Sequence, residues 1–191
     1  AGTPAISDPG YRLIKLCSKL GIEYTLIPGP SSVISALIMS GLPTDKFSFY
    51  GFMPRKPSDQ EKFIENLKNE EKTSIFFESS KRIANTLNNL SKCIEPHRHI
   101  SICKEMTKIH EKVIRGKMSD ILDSIHKNKI NLKGEIVIVI EGHIKNKINL
   151  QIDAKIKKEF LTKLSAADAS KLIASITGKN KREIYKKLIE K

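Results

Sequence analysis

The chain has 191 residues, 39% of them hydrophobic and 29% charged, with a formal net charge of +13 at pH 7. That length suffices for one domain or two small ones with a real core. No apolar run approaches bilayer-spanning length, and no signal-peptide pattern opens the chain. The three cysteines, Cys17, Cys93 and Cys103, are odd in number and unrelated in spacing. They fit core or incidental positions in a reducing cytosol better than a disulfide framework.

The chain opens inside a loop, Gly2-Thr3-Pro4-Ala5-Ile6-Ser7-Asp8-Pro9-Gly10, without an initiator methionine, so the strand that would feed this loop is expected upstream. Periodic apolar residues over 11–20 predict a helix ending at Gly21. Residues 23–27 (Glu-Tyr-Thr-Leu-Ile) have the alternation of a strand. A second loop, Pro28-Gly29-Pro30-Ser31-Ser32, runs into a helix over 33–40 that stops at Gly41. Both loops pair glycine and proline with small hydroxyl residues ahead of a helix. That suits a backbone that comes close to a ligand and aims helix N-terminal amides at it. Taken singly, each is better explained as turn and cap punctuation; the two in tandem with the other motifs reverse that preference.

Further along, residues 47–52 form an aromatic strand, and Ser58-Asp59-Gln60-Glu61 reads as a capping box opening a helix through Lys68. A strand over 73–77 precedes a helix capped by Ser79 or Ser80 that reaches about Leu90. Strands are expected at 99–104 and 111–115, and a helix from Ser119. The run Glu135-Ile136-Val137-Ile138-Val139-Ile140-Glu141 is apolar with charged ends, the pattern of a buried central strand. Alternation of strands and helices gives an α/β fold with parallel or mixed pairing. Residues 143–158 are polar, lysine-rich and aperiodic, as in a linker. Ser165-Ala166-Ala167-Asp168 then caps a helix to Ile176 that ends at Gly178. Asn180 with Glu183 caps another through Ile189, and together they make a helix-turn-helix-like pair. No internal repeat is present. The boundaries implied are 1–45, 46–143, a basic linker 144–160, and a helical module 161–191.

Charge is unevenly spread. Residues 144–191 carry 13 Lys/Arg against 5 Asp/Glu, which favours a polyanion-facing tail. The excess of Lys over Arg, 28 to 6, also fits codon bias in an AT-rich genome, whereas phosphate sites often favour Arg's fork.

Seven motifs in order carry a family resemblance: the loops at 2–10 and 28–31, Tyr50-Gly51-Phe52-Met53-Pro54-Arg55-Lys56, Phe77-Glu78-Ser79-Ser80-Lys81-Arg82, Lys104-Glu105-Met106-Thr107-Lys108-Ile109-His110-Glu111, Arg115-Gly116 with Lys133-Gly134-Glu135, and Lys181-Arg182-Glu183-Ile184-Tyr185. With these the chain resembles the ribosomal small-subunit methyltransferase I family of 16S rRNA cytidine-2′-O-methyltransferases. That family belongs to the tetrapyrrole-methylase-like enzymes that use S-adenosylmethionine (SAM).

The resemblance implies a two-lobed class III methyltransferase fold with the first lobe incomplete here, because the family has roughly a further third of chain ahead of Ala1. It implies SAM as cofactor, the small ribosomal subunit as partner, a homodimer, the cytoplasm and no membrane. It places SAM against Gly2, Thr3, Pro4, Ser7 and Asp8, against Pro28, Gly29, Pro30 and Ser31, and beside an apolar wall of Phe52 and Met53. There is no G-x-G-x-x-G fingerprint of a dinucleotide site.

Methyl transfer to a ribose hydroxyl needs alignment, water exclusion and proton removal. Lys104 and Glu105 are the acceptor-side candidates, with His110 behind them. Glu78, at a strand end, is a further catalytic candidate, and holding helix amides is its plain alternative. Arg55, Lys56 and Arg82, with Lys181 and Arg182, are the RNA-binding candidates; solvated loop charges are the alternative for Arg55 and Lys56. His97 and His99 have no ligand partners at metal-binding spacing, so no metal is expected. Two further outcomes are a tetrapyrrole-type small-molecule methylase and a non-catalytic RNA-binding fragment.

Overall fold

The computed structural model describes residues 2–127, 130, 132–144, 152, 154–177 and 180–189. The chain divides into two compact units, Ala1–His143 and Ile144–Lys191. In the first, a five-stranded sheet has the order β1-β2-β5-β3-β4, with β1 Phe47–Phe52, β2 Thr73–Ser79, β3 His99–Lys104, β4 Lys112–Lys117 and β5 Glu135–Ile140. Only β1 and β2 pair in parallel. β2–β5, β5–β3 and β3–β4 are antiparallel, so the sheet is mixed. β5, apolar along its length, is the central strand, buried from Ile136 to Ile140, as a strand covered on both faces must be.

One face of the sheet is covered by α3 (Pro57–Asn69), α4 (Ile83–Ser91) and α5 (Met118–His126), around a core that includes Met53, Leu67, Phe76, Leu87, Ile102 and Ile138. The other face is covered by α2 (Ser32–Ser40), whose Val33, Ala36 and Leu37 pack with Ile75, Cys103 and Val139. α2 is capped by the Ser31 side chain, which accepts from Ile34 N, and ends at Gly41 in the left-handed region. α1 (Tyr11–Leu20) ends likewise at Gly21 but has no buried residue, and Tyr11, Leu13, Leu16 and Leu20 are exposed.

Several sequence expectations shift. Residues 23–27 form no strand. Tyr24, Leu26 and Ile27 are exposed, Ile27 to 82%, and a strand without a neighbour to pair with has no ladder to join. α3 begins at Pro57 with Lys56 as N-cap and no side-chain cap bond, so the Ser58 capping box is not used; proline at the first turn presets φ and has no N–H to satisfy. α4 begins at Ile83, not at Ser79 or Ser80, because Ser79 closes β2 and its carbonyl accepts from Arg82 N in the intervening turn. α5 starts one residue earlier than Ser119, at Met118.

In the second unit the aperiodic stretch gives way to α6, Ala154–Lys163, which begins inside the span expected as linker and runs past its expected end at residue 160. α7 (Ala166–Thr177) is capped as expected by the Ser165–Asp168 pair at 2.6 Å, while Gly178 lies outside the described residues. α8 (Lys181–Ile189) starts after Asn180, whose Oδ1 accepts from Arg182 N. The unit has its own small core of Ala169, Ile173, Ile184 and Leu188, with Phe160 of α6 against it.

Candidate active site

The register of the sheet sets one edge where β1, β2 and β3 end and β4 and β5 begin. Ser79 stands beside Glu135, Ile136 beside Lys104, and Lys104 beside Lys112. A cleft of about 760 Å³ lies there, a size suited to a small organic ligand. Its lining joins Gly2, Thr3, Pro4, Ser7 and Asp8 of the first loop to Pro30 and Ser31 of the second. Phe52 and Phe77 add an aromatic wall, with ring centroids 5.1 Å apart. The floor and far side come from Met106, Thr107 and Lys108 of the β3–β4 loop and from Gly134 to Val137 at the start of β5.

The two glycine-proline loops are zipped to each other. Thr3 N donates to Pro30 O at 3.0 Å, Thr3 Oγ1 donates to Gly29 O at 2.8 Å and accepts from Gly29 N at 3.3 Å. Gly2 and Gly29 meet so closely that a Cβ on Gly29 would lie 2.9 Å from Gly2 Cα, and one on Gly2 would lie 2.9 Å from Pro30 O. Both glycines are therefore required by the approach of two backbones, and Gly2 also has φ +128°.

Opposite them, Glu105 fastens the β3–β4 loop to β5. Its backbone N–H donates to Glu135 O at 2.9 Å, and its Oε1 accepts from Glu135 N at 2.6 Å. The carboxylate fills the space that a side chain at Gly134 would occupy. Lys108 Nζ bridges Glu105 Oε1 at 3.4 Å and Glu135 Oε2 at 3.0 Å. The Glu135 amide, with Lys108 adding to it, holds the Glu105 carboxyl below the usual range, and the bond to Glu135 holds the Lys108 ammonium above its own. Among the described residues the non-glycine residues with positive φ are Ala5, Ser7, Glu105 and Thr107. All belong to these two loops. Backbone strain of this kind persists where surrounding structure holds it in place, and it collects at functional sites.

Other expected residues sit differently. Met53, 1% exposed, is in the core beneath α3 and α4, not on the wall beside Phe52; successive side chains of an extended chain point to opposite faces, so the two neighbours cannot share one wall. Pro28 and Gly29 are outside the lining, Gly29 backing Gly2 instead. Glu78 reaches the cleft, but its oxygens are taken by Ser79 N at 2.6 Å, Thr86 Oγ1 at 2.6 Å and Arg82 Nη2 at 2.7 Å. Arg82 also donates to Met53 O and Pro54 O, so its guanidinium is spent on fastening the β1 and β2 ends. Lys104 and Glu105 stand behind the lining, and Arg55 and Lys56 are exposed in the turn after β1. Lys181 and Arg182 are exposed on the first turn of α8. Thr107, Lys108 and Gly134 belong to motifs singled out in the sequence, but only the sheet register reveals that they share one rim. Among the described residues no group of three His, Cys, Asp or Glu could hold a metal ion, and no helix is long and apolar enough to cross a membrane.

The first unit is thus a mixed sheet with helices on both faces and a loop-built cleft at one edge. The family model of Tetrapyrrole (Corrin/Porphyrin) Methylases matches residues 1–122. Among solved structures, a cobalt precorrin-4 methyltransferase of cobalamin biosynthesis superposes with a TM-score of 0.54 at 18% identity, over 73% of this chain and 61% of that one. The methyltransferase CobJ gives 0.53 at 17%, over 74% and 62%. These fix the fold.

Sequence relatives narrow the family. "Ribosomal RNA small subunit methyltransferase I" of Mycobacterium tuberculosis (H37Rv) is 37% identical over all of this chain and 66% of its own length. That of Xylella fastidiosa is 37% identical over 97% and 68%, and that of Escherichia coli O157:H7 33% over 100% and 67%. The chain belongs to the ribosomal RNA small subunit methyltransferase I family of tetrapyrrole-methylase-fold proteins. It spans about two thirds of the length of these curated relatives.

Proposed function

We propose that the protein transfers a methyl group from SAM to the 2′-hydroxyl of a cytidine ribose in 16S rRNA, in the cytoplasm and as a homodimer. The observation that carries this reading is the cleft itself. Two glycine-to-glycine loops and a strained, buckled rim enclose a volume of cofactor size, in a chain similar along its whole length to proteins named as rRNA methyltransferases.

The fit to SAM is chemical as well as volumetric. Close backbone approach and the polar Thr3, Ser7, Asp8 and Ser31 suit an amino acid and a ribose, and the Phe52–Phe77 wall suits a flat base. When bound, SAM would supply the electrophilic methyl. The chain's own residues would orient donor and acceptor and exclude water. In this reading residues 1–45 belong to a first lobe and 46–143 to a second. Lys104, Glu105 and Glu78 serve the acceptor side, and the engaged carboxylates of Glu78 and Glu105 make these two positioning residues. The exposed apolar residues of α1 supply surface for the dimer.

The test is transfer of labelled methyl from SAM into small-subunit RNA by the full-length protein, with the product mapped to a ribose 2′-oxygen. A second reading, methylation of a tetrapyrrole, is favoured by the family model and by the fold neighbours. Competition decides between them: inhibition by a porphyrinoid and indifference to RNA would replace the first reading with the second. Deleting 160–191 checks the basic tail, which is expected to contribute RNA affinity through Lys181 and Arg182 and to steepen its salt dependence.

A further inference from the structure

The two edges of the sheet differ sharply in charge. At the cleft edge the turn after β1 presents Arg55 and Lys56, the turn after β2 presents Lys81, and β4 starts with Lys112; all four are exposed. Lys133 adds an exposed cation from the approach to β5, while Lys108 of the β3–β4 loop is engaged by two carboxylates. The acids at this edge are mostly spoken for. Glu78 pairs with Arg82, Glu105 and Glu135 share Lys108, and Glu111 accepts from Thr107 N.

The opposite edge has cations as well, Lys46, Lys72 and Lys117, all exposed. There they are interspersed with Asp45, Glu70, Glu71, Glu95 and Glu141, and Arg98 is buried. A lysine-rich composition spread evenly would have charged both edges alike. This one is positive only where every strand delivers a loop to the cleft.

We infer that the cleft edge of the sheet, from Arg55 and Lys56 through Lys81 to Lys112, is a docking band for the phosphodiester backbone of RNA. The inference rests on the proposed methyltransferase reading and adds where the polymer lies. Five strands at about 4.8 Å spacing set the band's width at about 19 Å, enough for several consecutive phosphates. Lysine ammoniums on turns are point charges without fixed geometry, so the band holds the backbone without reading bases. It leaves the ribose to be selected in the cleft. Arg82 is excluded from the band by its bonds to Glu78, Met53 O and Pro54 O.

The experiment compares two triple variants of the full-length protein, Lys56→Gln/Lys81→Gln/Lys112→Gln at the cleft edge and Lys46→Gln/Lys72→Gln/Lys117→Gln at the far edge. The probe is a fluorescent single-stranded oligocytidine RNA, titrated over a range of salt concentrations, with SAM binding measured by calorimetry on the same samples. Both variants lose the same formal charge, so net charge cancels from the comparison. The cleft-edge variant is expected to lower affinity about tenfold and to flatten the salt slope by about two, since each single-strand phosphate contact contributes about 0.7. The far-edge variant is expected to keep the slope, and both to keep SAM affinity.

Equal losses in the two variants, or no loss at the cleft edge, would overturn the band. A parent protein that binds SAM but not this RNA would overturn it too, while leaving the methylase assignment standing. Absence of SAM binding in the parent would instead strike the proposed function.

Discussion

The far edge of the sheet is held by one buried guanidinium. Arg98, 4% exposed, donates to Glu141 O at 2.6 Å, Leu67 O at 3.0 Å, and Lys68 O and Glu70 O at 3.1 Å, and pairs with Glu95 at 3.5 Å. Burial pulls its basicity down, and Glu95 opposes this. His143 adds a 2.9 Å contact to Glu95, and His99 a 3.0 Å contact to Glu141. At the cleft edge Arg82, bound to buried Glu78, Met53 O and Pro54 O, ties only the ends of β1 and β2 and is part-exposed. The loops there are held by backbone-to-backbone bonds, by glycines in contact and by Glu105, with four non-glycine residues at positive φ. One edge invests its polar groups in satisfying strand and helix ends. The other holds strained loops open around a volume. Fold stability and ligand binding are thus assigned to opposite ends of the same five strands, and substitutions at the two edges should separate them.

The largest effect is expected from Arg98→Ala. It leaves several buried carbonyls and Glu95 without their donor, a change that costs about 3–5 kcal/mol when a buried charge pair is broken. Chemical denaturation would show it, and a loss below about 1 kcal/mol would refute the hub.

Next is Gly29→Ala. Its Cβ has no room beside Gly2, so SAM affinity is expected to fall at least about tenfold, as follows when about 1.4 kcal/mol of binding is lost. The denaturation midpoint should move far less than in Arg98→Ala. Loss of stability as large as that of Arg98→Ala would blur the two edges.

Glu105 gives a smaller and more diagnostic effect. Glu105→Gln keeps an oxygen for the Glu135 amide and should retain most of the SAM affinity, whereas Glu105→Ala should lose several-fold. If Gln and Ala were equally inactive in turnover with unchanged SAM binding, Glu105 would be acting as a base and not as a buckle.

The smallest effect concerns pH. Glu105 at the cleft edge and Glu70 and Glu95 at the far edge are all held below the ordinary carboxylate range. The causes are the Glu135 amide for Glu105 and the Lys72 amide for Glu70; for Glu95, burial acts upward but is outweighed by a bond to its own backbone, by Arg98 and by His143. A carboxyl depressed on folding contributes stability that is fully present above its unfolded value and lost as pH falls through the folded one. Stability should therefore be flat near neutrality and decline only below the ordinary glutamate value of about 4.3. A decline beginning well above that value would contradict the assignment to these carboxylates.

Much of this was legible from residue order. The apolar run 135–140 announced a central strand, Gly21 and Gly41 announced helix ends, and Ser165 with Asp168 announced a cap, because each is a local preference that packing did not override. The two glycine-proline loops were legible as close-approach segments. Their meeting was not, since it depends on Gly2 and Gly29 being brought together across 26 residues of intervening chain. Met53 was misplaced because it was paired with its neighbour Phe52, although successive residues of an extended chain face opposite sides, and the core beneath α3 and α4 claimed it. Residues 23–27 carried a strand's alternation but found no neighbour, which no local pattern encodes. Arg82 was an RNA-binding candidate from sequence, and only the fold shows the carboxylate and carbonyls it serves. The buckle from Glu105 to Glu135 was invisible for the same reason: its parts are 30 residues apart and meet through the antiparallel register of β3 and β5.

The central claim, that the loop-built edge binds SAM while the Arg98 edge holds the fold, is tested most directly by calorimetric titration of SAM into the full-length protein and its Gly29→Ala variant at matched stability. Saturable binding in the parent and a loss of at least about tenfold in the variant is the predicted result. Equal affinity in both would contradict it.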